Sequence, residues 1–144
     1  MPTVPKATRD LVKSRAKHRC EYCRIPEAEF VAAVGFQVEH VTPRKILRAR
    51  GLQLFDPKYL AFSCPRCNSF KGTQTHGTDP QSRLQCPLYD PRSQRWHHEF
   101  LPMPSGHILG KTPVGRTTKD ALKLNTLADV LLNRARLHAC QKWP

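Results

Sequence analysis

Apolar positions along the chain change period several times, and each change marks an expected element. Residues 7–18, ATRDLVKSRAKH, hold good helix formers, no internal Gly or Pro, and Leu11, Val12 and Ala16 on one side, which predicts a basic helix. In FVAAVGFQVEH the Val and Phe content predicts a strand over residues 36–40, entered at Gly35 and closed before Thr42-Pro43. TPRKILRARGLQLFDPK, residues 42–58, reads as a long, basic, irregular connection. YLAFS, residues 59–63, suits a second, buried strand. Pro65 at a first helical position and Gly72 at an exit predict a two-turn helix over PRCNSFKG. The order is strand, loop, strand, helix.

Beyond it, residues 73–91 are rich in Gly, Pro, Ser, Asp and Gln and predict a loop packed over the surface. Trp96, His98 and Phe100 alternate with Arg95, His97 and Glu99, a strand pattern; PMPSG then turns and residues 107–110 are expected to pair back as a hairpin. Leu122, Leu127, Val130, Leu131 and Leu137 predict one long terminal helix capped by Thr117 or Thr118. The elements describe an α+β chain.

With 144 residues, the chain is long enough for a single domain. Lys and Arg number 24 against 11 Asp and Glu, a net charge of +13 spread along the chain. Such a surplus points to a polyanion, with nucleic acid ahead of an anionic membrane. No apolar segment approaches the roughly 20 residues needed to span a bilayer. The stretch MPTVPKATRDLVKSRAKHRC lacks the apolar core of a signal peptide, so a cytoplasmic location is expected.

Four of the six cysteines form two C-x-x-C pairs, Cys20/Cys23 and Cys64/Cys67. Without a signal peptide, that pattern points to a tetrahedral structural zinc site ahead of reduced thiols or a redox pair. Cys86 and Cys140 are left as free thiols. A closed four-sulfur site has no open position, so catalysis would need other groups. The segment between the pairs carries Glu39, a carboxylate, and His40, a base near neutral pH. Asn68, directly after Cys67, offers a carbonyl oxygen; carboxylate, amide oxygen and waters suit magnesium. Neighbours on a strand point to opposite faces, so Glu39 and His40 can share a site only where the strand ends, which Thr42-Pro43 provides. By itself the dipeptide fits a surface glutamate beside a packing histidine better than a site.

Taken together, C-x-x-C before the strand, E-H-x-x-P-R at its end and S-C-P-x-C-N-x-x-K-G on the helix resemble the HNH endonuclease family, in particular its zinc-clamped bacterial members. Asp79-Pro80, PLYDPR, RWHHEF, ILGKT and GRTT extend the likeness downstream. The resemblance implies a single domain over residues 1–144. It would comprise a ββα-metal core (also called a His-Me finger) over about residues 18–75, and a loop, hairpin and helix extension over about residues 76–144. It implies hydrolysis of phosphodiester bonds in DNA. His40 would be the general base, Glu39 and Asn68 would hold a catalytic Mg2+ or Mn2+, and Cys20, Cys23, Cys64 and Cys67 a structural Zn2+.

Two positions depart from the family pattern: Tyr59 stands where an asparagine tethers the loop after the first strand, and Glu99 stands where related chains carry a histidine. Arg44, Lys45 and Lys71 beside the site are expected phosphate contacts, with a solvated basic surface as their ordinary alternative. No recognition domain is visible, so specificity is expected from a homodimer or a partner protein. The competing expectation is a non-catalytic, zinc-stabilised nucleic-acid-binding module with a degenerate site. GHILGKT has three residues between its glycines where a P-loop needs four, and is expected to be a hairpin edge. His97-His98 lacks a partner ligand and is expected to pack or face solvent.

Overall fold

In the computed structural model, which describes residues 2–30 and 34–144, helix α1 spans Lys6–Arg15 and buries Val12. Val12 and Ala16 pack on Leu60 and Phe62 of strand β2, Leu60–Ser63. Strand β1, Gln37–His40, pairs antiparallel with β2, setting Glu39 opposite Ala61 and His40 opposite Leu60. Every residue of β2 is buried, which explains a continuous apolar run in place of alternation. Helix α3, Pro65–Lys71, follows at once, with the Cys64 sulfur as its N-terminal cap. It ends at Gly72, whose φ of +52° a side chain would strain. The expected order of strand, loop, strand and helix is therefore present.

Several expectations need correction. The connection after β1 is not irregular: it contains helix α2, Arg44–Ala49, and a 3-10 turn, Pro57–Tyr59. Pro43 pre-sets the entry to α2 and Leu47 is fully buried, so one apolar anchor suffices to fix a short basic helix. Residues 73–91 are not a bare loop, because β3, His76–Thr78, and β4, Gln85–Pro87, form a hairpin. The 95–100 alternation is not a strand: residues Trp96–Glu99 form the helical turn α4, and strand β5 begins at Phe100, running to Pro102. Trp96, Glu99 and Phe100 are the buried positions while His98 is exposed. That spacing is helical, and the alternation of aromatic letters was coincidental.

β5 pairs with β6, Ile108–Gly110, in the expected hairpin. The terminal helix is two helices, α5 over Pro113–Ala121 and α6 over Ala128–Ala139. Thr112, not Thr117 or Thr118, caps the first by accepting from Gly115 N at 3.0 Å. Gly115 is needed there, because a Cβ would lie 2.0 Å from the Glu99 carbonyl oxygen. The chain breaks between α5 and α6 so that Asn125 can reach β6: its Oδ1 accepts from Ile108 N at 2.9 Å and its Nδ2 donates to Ile108 O at 2.8 Å. Three antiparallel strand pairs and six helices make the described residues α+β. No helix among them is long and apolar enough to cross a membrane.

Candidate metal centre and basic cavity

The first cysteine pair lies on a tight loop closed by Cys20 N donating to Ile25 O at 3.0 Å, with Arg24 at a φ of +67°. Cys23 N points at Cys20 Sγ at 3.5 Å, and Cys67 N at Cys64 Sγ at 3.4 Å, so each pair forms the same knuckle. All four sulfurs lie within 4.8 Å of one another, and all four residues are buried. Cys23 Sγ and Cys64 Sγ are 3.8 Å apart. A tetrahedron of sulfurs about 2.3 Å from a central zinc has edges of roughly 3.8 Å, so the cluster fits a zinc ion. Burial opposes ionisation of Cys20, but hydrogen bonds from Cys23, Cys64 and Cys67 outweigh it and hold its thiol well below the usual range. Hydrogen bonds with Cys20 and Cys23 push Cys64 and Cys67 up. The four sulfurs compete for negative charge, which a divalent cation would neutralise. Among the described residues this is the one group of three or more such side chains placed to hold an ion.

The two residues between Cys20 and Cys23 connect this centre to both strands. Glu21 N donates to Phe62 O at 2.8 Å, and Glu21 Oε2 accepts from Phe62 N at 2.8 Å, so the knuckle continues the β2 ladder. Tyr22 donates its hydroxyl to Glu39 Oε1 on β1. Both tryptophans close the knuckle from behind: Trp96 Nε1 donates to Tyr22 O at 2.7 Å and Trp143 Nε1 to Cys23 O at 2.8 Å. Sequence reasoning missed these two, because they lie 74 and 120 residues away and no local pattern links them.

Glu39, His40, Arg44, Lys45 and Asn68 line one open cavity of about 510 Å³. β1 ends at His40, and this termination lets both members of the acid–base pair border the same space. His40 is half-buried, and its Nε2 lies 2.7 Å from the Leu54 carbonyl oxygen. A carbonyl can only accept, so Nε2 carries the proton and Nδ1 is left as the basic nitrogen. Burial lowers the His40 pKa; the Leu54 bond opposes this, and Arg44 and Lys71 add to it. Asn68 donates its Nδ2 to Gln37 Oε1, which leaves its carbonyl oxygen free to accept.

Glu39 is buried, with Oε1 taken by Tyr22 and Oε2 by Lys71 Nζ at 3.1 Å. Burial raises its pKa against the pull of Lys71 and Tyr22. Lys71, expected at the phosphate-binding surface, is 2 % exposed and also donates to the His40 carbonyl at 3.2 Å. It is an internal counter-ion, because α3 turns its last residue toward β1. Lys45 is exposed as expected, while the Arg44 guanidinium lies 5.6 Å from the Phe55 ring centre and donates to Pro2 O at 3.1 Å. At the departure position the main chain acts: Val41 N donates to Tyr59 O at 2.8 Å. Asp56 accepts from Lys58 N at 3.0 Å, and Arg15 donates to Pro57 O at 3.1 Å, tying down the same loop.

Glu99 supports the hairpin instead of a site, accepting from the Thr112 hydroxyl while His98 Nδ1 lies 2.9 Å away. GHILGKT forms β6 and the entry to α5, with Lys111 N donating to Glu99 O at 2.8 Å. Comparison with protein-family models, curated proteins and solved structures finds no match to this chain.

Proposed function

We propose that the chain is a metal-dependent endonuclease of the ββα-metal type, hydrolysing phosphodiester bonds in DNA around a structural zinc. The observation that carries this reading is the hydrogen bond of the His40 imidazole: Nε2 is committed to Leu54, which leaves Nδ1 to accept a proton, and His40 lines a cavity together with Glu39 and Asn68. Burial and the neighbouring cations keep the imidazole neutral at physiological pH, the state a general base needs.

In this reading Nδ1 of His40 takes a proton from water. The resulting hydroxide attacks phosphorus, and the P–O3′ bond breaks to leave a 5′ phosphate and a 3′ hydroxyl protonated by solvent. Arg44 and Lys45, at the rim, take phosphate charges and position the strand without reading its sequence. Asp56 and Arg15 fix the loop that carries Leu54, the task the family gives to the asparagine replaced here by Tyr59. The donor set for a divalent ion is the Asn68 carbonyl oxygen, the lone pairs that remain on the Glu39 carboxylate, and water. Bound there, Mg2+ or Mn2+ would supply charge neutralisation at the scissile phosphate.

One observation favours a second reading, a zinc-stabilised nucleic-acid-binding module without catalysis: Tyr22 and Lys71 already engage both Glu39 oxygens. Supercoiled plasmid incubated with the zinc-loaded protein and Mg2+ or Mn2+ separates the two. The endonuclease nicks it, and His40→Ala retains binding but loses cleavage. Salt-sensitive binding with intact plasmid under both ions supports the module.

A further inference from the structure

Arg134 on α6 is 1 % exposed, yet no carboxylate among the described residues lies within ion-pair reach of it. One Nη2 serves two neutral acceptors, Leu124 O at 2.6 Å and Asn125 Oδ1 at 3.2 Å. The Nε is buried without a partner. The guanidinium carbon stands 5.5 Å from the centre of the Trp143 ring, and Trp143 is bonded to the Cys23 carbonyl. A charge taken out of water without a counter-ion is strongly destabilising, and two neutral acceptors and a ring do not offset it.

The cysteine cluster has the opposite imbalance. Four thiolates around one zinc(II) leave two negative charges inside the protein. Cys23, Cys64 and Cys67 line a cavity of about 450 Å³ together with Arg134 and Arg66. Arg66 lies between the second pair of cysteines in sequence, and its Nη1 is also buried without a partner. Burial lowers the Arg134 pKa, and Cys23, Cys67 and Cys64 oppose that shift.

We infer that Arg134, with Arg66, is the counter-charge of the zinc tetrathiolate, so that metal loading and the docking of α6 are one event. The inference rests on the zinc reading of the cysteine cluster and not on the nuclease reading. Without zinc the four sulfurs are not held together as one dianionic complex. Arg134 is then a buried cation with nothing opposite it, and α6 undocks. Without Arg134 the dianion loses half its compensation and zinc is held more weakly.

The test uses the full chain. Zinc affinity is measured by competition with a chromophoric chelator for wild type, Arg134→Met, Arg134→Lys and the exposed control Arg9→Met. Hydrogen exchange across α6 and α1 is compared in zinc-loaded and zinc-stripped wild type. The expected result is an affinity at least about tenfold lower in Arg134→Met, partial recovery in Arg134→Lys, and no change in Arg9→Met. Protection in α6 is expected to fall on stripping well before that in α1. Wild-type zinc affinity in a folded Arg134→Met overturns the inference, as does α6 protection that is indifferent to zinc. The exchange experiment decides the matter even where the methionine variant does not fold. A wild type that takes up no zinc overturns the zinc reading itself, a result visible before any variant is made.

Discussion

Lys71 Nζ stands 3.1 Å from Glu39 Oε2, and both side chains are buried. The carboxylate that an ion in the cavity would use is therefore already neutralised from inside the fold. Removing one partner of a buried pair leaves the other uncompensated, at a cost of about 3 kcal/mol or more. Lys71→Met is expected to melt well below wild type in the absence of a divalent ion. Millimolar Mn2+ should raise its melting temperature more than that of wild type, because the vacated carboxylate then takes the ion. Equal Mn2+ responses in differential scanning calorimetry would count against Glu39 as a ligand.

Cys64 has two roles: its sulfur belongs to the four-cysteine cluster, and it caps α3 by accepting from Cys67 N. Serine preserves a cap oxygen but not the thiolate. Cys64→Ser is expected to lose zinc from about one equivalent to near none and to lose the helical signal of α6 with it, since an apparent zinc binding energy of about 10 kcal/mol or more no longer contributes to stability. Metal analysis beside far-ultraviolet circular dichroism checks both outcomes.

Asp79 receives both arms of Arg116, Nε on Oδ1 and Nη2 on Oδ2, each at 2.9 Å, along with Ser82 and Gln81. The Arg116 bonds hold its carboxyl well below the usual range. A depressed carboxyl contributes stability that is complete above its unfolded value of about 3.9 and is lost as pH falls toward the folded value. Asp79→Asn is therefore expected to be less stable than wild type at pH 7, with a gap in melting temperature that narrows below about pH 4. A gap independent of pH would mean that the pair contributes shape and not charge.

Lys45 is exposed on α2 at the cavity rim. A lysine that neutralises one phosphate adds about one to the slope of log affinity against log salt. Lys45→Met is expected to lower that slope by about one on a DNA duplex and to weaken all sequences alike. The buried Lys71 gives no such direct contribution. Fluorescence anisotropy at several salt concentrations distinguishes the two lysines.

The metal cluster and the strand, loop, strand, helix order were legible because their signals are local: paired cysteines, a Pro and a Gly bracketing α3, a Val- and Phe-rich run. The environment of Glu39 was not. Tyr22 and Lys71 lie 17 and 32 positions from it, and in sequence the first is only a residue inside a knuckle and the second an expected phosphate contact. Arg134 was hidden in the same way, one basic letter in an amphipathic helix. The break between α5 and α6 was illegible for a related reason: LKLNTLADVLL keeps a helical apolar period across it, while the groups of Ile108 that Asn125 satisfies there are distant in sequence.

That interruption can be tested directly. Ile108 is buried on β6, and its N–H and C=O are both satisfied by the Asn125 side chain, which also accepts from Arg134. Asn125→Ala would leave two buried backbone groups without partners, a loss of about 3 kcal/mol by the usual penalty for unsatisfied polar groups. Urea denaturation should report that loss, and the Ile108 amide should exchange with solvent faster than its neighbours on β5. If instead the variant kept wild-type stability, the chain between α5 and α6 would be free to continue as the single helix its apolar period favours. The break would then owe nothing to the hairpin.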